Sequence, residues 1–109
     1  MFHVKPLAYI GLLMKEPNGG QLVHLAELRL IDETTAELLR LLELDGEEII
    51  KGAGTPEKMY GTPNIPERYV PHPDVYGNFP DVSLRIISQE VFGALWAEAE
   101  AIFPELAAE

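Results

Sequence analysis

Two side chains that can carry acid–base or metal chemistry lie two positions apart near the middle of the chain. His72 and Asp74 alternate with Pro71 and Pro73, and prolines favour an extended or polyproline II backbone. In an extended chain, residues i and i+2 point to the same side, so the imidazole and the carboxylate can meet one metal ion or substrate. A zinc or iron site needs a third ligand, which this motif does not supply. The alternative is an exposed histidine followed by a turn that starts at Asp74.

The other residue types used in catalysis are sparse or poorly placed. His24 falls on the apolar phase of a predicted strand, where it is either a buried histidine bonded to backbone or a ligand or general base. The chain has no cysteine, which excludes disulfides, thiolate catalysis and thiolate zinc sites. Neither Ser83 nor Ser88 lies in a nucleophile elbow. We therefore predict no catalytic residue, metal ion or cofactor, with a small metal- or ligand-binding enzyme using His72 and Asp74 as the alternative.

Residues 52–80 form a stretch rich in proline, tyrosine and glycine, which predicts a long loop. Tyrosine offers a large contact area at low entropic cost, and proline reduces the ordering penalty of binding. This favours a recognition surface, although the same tyrosines can instead fold back over an open sheet face. The residues predicted to contact a partner are Tyr60, Arg68, Tyr69, His72, Asp74 and Tyr76, together with Glu37 and Glu43 from a predicted helix.

The chain of 109 residues carries a formal net charge of −10. Because phosphate groups require neutralising lysine and arginine, we expect no direct binding to nucleic acid or to an anionic membrane. A partner protein with a basic surface suits this charge, although acidic residues also simply keep a small domain soluble. The longest apolar run, Leu7–Met14, is far shorter than the roughly 20 residues of a membrane span, so we expect a cytoplasmic protein.

The first half of the chain predicts a β-hairpin, a helix and a short strand. Residues 7–31 contain two apolar runs joined by a turn-forming segment, which is typical of a hairpin. Residues 32–45 start with Asp32, a favourable N-cap, and place leucines at three- and four-residue spacing, which predicts a helix ending at Gly46. On this helix Glu37 and Glu43 would be exposed. Residues 48–51 predict a third strand.

The second half predicts a fourth strand and a second helix after the long loop. Residues 82–87 alternate between apolar and polar, and residues 89–103 place apolar side chains along one helical stripe after Ser88, a favourable N-cap. The expected fold is a single α+β domain with an antiparallel or mixed sheet of about four strands. Two helices would pack on that sheet in the order ββαβ-loop-βα.

These observations favour a small acidic non-enzymatic binding module, acting as a regulator, inhibitor or assembly component. The module would dock on a partner protein through its Pro/Tyr loop and its acidic helix faces. The alternative outside the enzyme class is a structural subunit that forms a homo-oligomer such as a homodimer. The chain contains few asparagines and glutamines and many glutamates and leucines, a pattern reported for thermophile proteins.

Overall fold

Antiparallel strands, not helices, account for most of the apolar sequence. The computed structural model describes residues 6–15, 19–47, 49–61, 66–78 and 82–107, with the side chains of 76–78 and 82 outside the description. The strands are β1 Leu7–Lys15, β2 Gln21–Leu30, β3 Thr35–Asp45, β4 Ile50–Thr55, β5 Lys58–Tyr60, β6 Tyr69–Pro71 and β7 Val82–Ile86.

These strands form a seven-stranded sheet in the order β5-β4-β3-β2-β1-β7, and β6 pairs with the first residues of β3. Every pairing is antiparallel. One α-helix, α1 Gln89–Ile102, follows β7, and 3₁₀ helices occupy Pro73–Asn78 and Pro104–Leu106. Among the described residues, no helix has the length and apolar character needed to cross a membrane.

Three of the predicted elements are confirmed. β1 and β2 form the hairpin, β7 is the predicted strand, and α1 starts at the predicted cap. The Ser88 hydroxyl oxygen accepts a hydrogen bond from the Val91 amide at 3.0 Å, which satisfies one of the amides left free in the first turn. These elements are determined by local signals that no distant contact overrides.

The fold class predicted from the sequence is wrong, because the helix predicted at residues 32–45 is instead a bend followed by strand β3, Thr35–Asp45. β3 lies inside the sheet, between β2 and β4, and is buried on both faces, which requires an almost continuous apolar run. The register against β2 shifts where Glu27 pairs with Arg40 and Leu28 pairs with Leu38, leaving Leu39 as an extra residue. This bulge brings residues three apart, such as Leu38 and Leu41, onto the same face and imitates a helical period.

The predicted helix signals at the two ends of β3 serve turns instead. A carboxylate oxygen of Asp32 accepts hydrogen bonds from the amides of Thr34 and Thr35, both at 2.9 Å. A carboxylate oxygen of Asp45 likewise accepts from the amides of Glu47 at 2.8 Å and Ile49 at 3.0 Å. Aspartate favours caps and turns for the same reason, since its short side chain bonds to nearby amides in both settings.

The predicted long loop at 52–80 is also wrong over its described residues. β4 continues to Thr55, and β5, β6 and the first 3₁₀ helix follow it. β4 takes the place of the strand predicted at residues 48–51, and β3, β5 and β6 raise the sheet from the predicted four strands to seven. β6 pairs only with the distant strand β3, and β5 pairs with β4 across a two-residue turn. Both strands are short and carry weak local signals, so proline and glycine dominated the prediction.

The two faces of the sheet are covered by different parts of the chain. α1 crosses one face, here called the helix face, and buries Phe92 and Ala99 against Leu25, Leu42 and other residues of β2–β4. The opposite, second face holds a core formed by Ile10, Ala26, Leu28, Ala36, Leu38 and Leu41. Val70 of β6 also packs against this second core.

The close approach of β5 to β4 depends on a glycine. A Cβ atom at Gly54 would overlap the backbone of Lys58 and Met59. We predict that Gly54→Ala lowers the free energy of unfolding by about 1–3 kcal/mol, the usual cost of overpacking. Urea unfolding measures this change.

The matched control is Gly93→Ala on α1, where a new Cβ has no atom within 4 Å. This control should raise the free energy of unfolding by about 0.5–1 kcal/mol, since alanine favours the helix. Equal effects of the two substitutions would contradict the close approach at Gly54.

Candidate functional site

A buried ion pair lies under α1 on the helix face of the sheet. Glu27 of β2 is only 8% exposed, and Arg40 of β3 donates to both of its carboxylate oxygens, each at 2.8 Å. The hydroxyl of Tyr9 on β1 donates a third hydrogen bond to Glu27, also at 2.8 Å. Arg40 and Glu27 stand directly opposite in the strand register, which aligns the guanidinium and carboxylate planes.

Two aromatic rings of α1 cover this ion pair. The guanidinium carbon of Arg40 lies 5.0 Å from the centre of the Phe92 ring and 4.8 Å from that of Trp96. Both distances are within the range of cation–π attraction. Phe92 and Trp96 also stack on each other, with ring centres 6.1 Å apart. We call Tyr9, Glu27, Arg40, Phe92 and Trp96 the Arg40 cluster.

The pKa values of the Arg40 cluster move away from neutral pH. Hydrogen bonding to Arg40 lowers the pKa of Glu27 below its ordinary 4.5, with burial acting in the opposite direction. Hydrogen bonding to Glu27 raises the pKa of Tyr9 above 10.0 and that of Arg40 above its ordinary value. A general acid or base works best with a pKa near the operating pH, so these shifts favour a structural role for the cluster.

An apolar groove lies beside α1, on the opposite side from the Arg40 cluster. Its volume is 720 Å³, which is within the range of pockets that bind small-molecule ligands. The floor is formed by β1, β2 and β3, and the wall by one flank of α1. The lining residues are Gly11, Leu13, Val23, Leu25, Leu44, Glu47, Arg85, Ile87, Val91, Ala94, Leu95 and Glu98. We call this feature the α1 groove.

Three charged side chains line the α1 groove. Arg85 belongs to β7 at one side of the sheet, while Glu47 lies in the turn after β3. Glu98 lies on α1, one turn before its end. Within the described part of the chain, Arg85 forms no ion pair with any acidic side chain. The groove therefore combines an apolar floor with charged side chains of both signs, none of which forms an ion pair with another described residue.

The side chains of His72 and Asp74 do approach each other, with Nδ1 of His72 3.7 Å from a carboxylate oxygen of Asp74, but Asp74 lies in a 3₁₀ helix and not in an extended chain. The segment turns at this point, and the Asp74 amide donates to Nδ1 of His72 at 3.0 Å. The carboxylate of Asp74 is exposed, whereas the His72 ring is mostly buried. One imidazole nitrogen is therefore occupied by backbone. Within the described ranges, no three histidine, aspartate or glutamate side chains converge to hold a metal ion.

The tyrosines predicted to contact a partner are divided between the core and the surface. Tyr60 stacks on Phe103 with ring centres 6.4 Å apart and packs against the helix-face core. Tyr69 is 58% exposed on β6. The side chain of Tyr76 lies outside the described residues.

The charged residues predicted to contact a partner are already paired within the chain. Arg68 lies 3.0 Å from Glu57 and 3.5 Å from Glu37, which also lies 3.6 Å from Arg29. Glu43 lies on the second face, where its carboxylate is 3.2 Å from Nε2 of His24. The sequence predicted that Glu37 and Glu43 would share the exposed surface of a helix. They do not, because both residues lie on strand β3.

Sequence reasoning missed the α1 groove, because its floor is made from strands distant in the chain. Gly11 carried one signal, since a glycine in an apolar strand marks a gap in the side-chain row. A Cβ at this position would meet Cδ2 of Leu25 at 3.0 Å, so glycine keeps the floor open. The position of α1 across the sheet, which decides where the groove lies, has no signal in the local sequence.

A scan of protein-family models found no match, and neither did searches of curated proteins and of solved structures.

The lowered pKa of Glu27 predicts how the Arg40 cluster depends on pH. Because the pKa of Glu27 in the folded protein is below its unfolded value of 4.5, the ionised carboxylate makes its full contribution to stability above pH 4.5. It is lost as the pH falls through the folded pKa. At pH 7 we expect Glu27→Gln to lower the free energy of unfolding by about 2–3 kcal/mol, because it leaves Arg40 without its carboxylate. Urea unfolding between pH 7 and pH 2.5 should show this difference shrinking.

Glu57→Gln is the control, since Glu57 is an exposed acid whose loss should cost at most about 1 kcal/mol at any pH. If the difference in the free energy of unfolding between wild type and Glu27→Gln stays constant down to pH 2.5, the stabilising role of the ionised Glu27 carboxylate is contradicted.

Proposed function

We propose that this protein is a non-enzymatic protein-binding module and that its α1 groove receives an amphipathic helix of a partner protein. The observation that carries the proposal is the apolar floor of the groove, which α1 leaves uncovered on the helix face. Grooves of this kind bind helices through apolar residues at three- and four-residue spacing. A helix in the groove would complete a layer of two adjacent helices on the sheet.

The dimensions of the groove support a helical occupant. The floor and its edge run across β3, β2, β1 and β7, which spans about 14 Å at the usual strand spacing. About nine or ten helical residues cover this distance. Packed helices lie 8–10 Å apart, so a partner helix beside α1 would rest on Leu13 and Val23. The partner segment is therefore expected to be short, with one apolar face.

The charges around the groove indicate the chemistry of the partner. Glu47 and Glu98 lie toward the β3 side, and Arg85 lies at the β7 edge. A partner helix with lysine or arginine on its polar flanks complements the two glutamates, and one acidic residue near one end complements Arg85. The net charge of −10 steers a basic partner toward the chain at long range.

The docking surface in this proposal differs from the one predicted from sequence. Thr35–Asp45 form strand β3, so the acidic helix face predicted for residues 32–45 does not exist. Tyr69 and Arg68 remain a separate candidate contact on β6 and beside it, because the Tyr69 ring is exposed. The proposal keeps the cytoplasm as the compartment, and the absence of cysteine from the chain supports this.

A synthetic helical peptide tests the proposal. The probe is a 14-residue amphipathic peptide with leucines on one face and lysines on both flanks, and its comparison peptide has glutamate in place of lysine. Heteronuclear NMR titration should show that the lysine peptide shifts resonances of Leu13, Val23 and Leu95, while the glutamate peptide binds at least about tenfold more weakly.

Two exposed residues of α1 provide matched variants. Val91 lines the groove and is 49% exposed, whereas Ile102, at 52%, is not part of the lining. Val91→Lys should weaken binding of the lysine peptide by about tenfold or more, and Ile102→Lys should leave it unchanged. Equal binding by both variants, or equal binding of both peptides, would refute the proposal.

A further inference from the structure

Strand β7 forms one edge of the sheet and leaves backbone groups unpaired. The Ile87 amide donates to the Tyr9 carbonyl at 3.0 Å, so Ile87 directs its backbone N–H and C=O groups toward β1. Because hydrogen bonding alternates along an antiparallel pair, Ser83 and Arg85 also face β1, while Leu84 and Ile86 direct their amides and carbonyls outward. No strand among the described residues pairs with this outer side.

The two edges of the sheet differ in how they are protected from pairing. At the opposite edge, β5 has only three residues and is followed by Gly61, whose φ of 85° does not fit a strand. β7 has five residues, with no proline and no register shift against β1. It also carries Ile86, the most exposed large apolar side chain in the described ranges, at 76%. Proteins normally protect such an edge by charge, bulges or cover.

The sequence of β7 is self-complementary. Leu84 and Ile86 occupy one face of the strand, and Ser83 and Arg85 occupy the other. In an antiparallel pair centred on Leu84, apolar positions of one copy face apolar positions of the other. Arg85 faces Ser83 of the second copy, so like charges are not directly opposed.

We propose that a second copy of this chain binds at β7 and pairs with it in antiparallel fashion about Leu84. The outward amide and carbonyl of Leu84 then bond to those of Leu84 in the second copy, and Ile86 pairs with Val82. This is the two-fold symmetric contact that dimers most often use. The pairing joins two sheets into one continuous sheet.

The pairing also places the two α1 grooves near each other. α1 starts three residues after β7, and Val91 and Arg85 both line the groove at this edge. A two-fold axis at β7 therefore brings the β7 ends of both grooves to the same interface. The pairing rests on the backbone of β7 and does not depend on what the groove binds.

Sedimentation equilibrium of the whole chain, from about 1 µM to 1 mM, tests the proposal, and we expect wild type to form a dimer. Ile86→Pro removes an outward amide without removing a bond to β1. Because it deletes one hydrogen bond from each copy, it should weaken self-association by about 30-fold or more. Ile86→Lys should also weaken it, while Ile102→Lys, on the exposed end of α1, should not.

Amide hydrogen exchange of wild type provides a readout that needs no variant. At concentrations where the chain is dimeric, the amides of Leu84 and Ile86 should be protected, and dilution to the monomer should remove that protection. The proposal is overturned if wild type is monomeric at 1 mM. It is also overturned if a dimer forms with these two amides unprotected, or if the dimer is unchanged by Ile86→Pro in a folded protein.

Discussion

The bidentate ion pair between Glu27 and Arg40 determines how the helix and the sheet fit together. A carboxylate that is 8% exposed is costly to bury unless each lone pair meets a donor, and Arg40 and Tyr9 supply those donors from the two neighbouring strands. The guanidinium in turn presents its flat face to Phe92 and Trp96 of α1. One polar contact therefore joins three strands and the helix.

The position of α1 over this ion pair divides the rest of the helix face. One helix is about 10 Å wide and cannot cover a sheet of this breadth. On one side of α1 lies the Arg40 cluster, which uses its polar groups internally. On the other side lies an apolar floor with Arg85, Glu47 and Glu98 among its lining residues. Arg85, unlike Arg40, forms no ion pair with an acidic side chain among the described residues.

The residues with the strongest chemical signals in the sequence have partners within the chain. His72 receives a hydrogen bond from backbone, Glu37 and Arg68 pair within the chain, and Tyr60 packs against Phe103. A sequence displays residue types but not their partners, and a charge or ring that is satisfied internally looks the same in sequence as a free one. The groove residues, by contrast, are ordinary leucines, valines and alanines with no motif.

The sequence by itself determined the β1–β2 hairpin, strand β7 and α1 with its Ser88 cap, because each depends on periodicity, a turn or a cap within a few residues. Only the tertiary structure decided that residues 35–45 form β3. There, two buried faces and a bulge at Leu39 produce a spacing that favours a helix when read locally. The same holds for the short strand β6 and for the α1 groove, since both exist only through contacts between segments far apart in the chain.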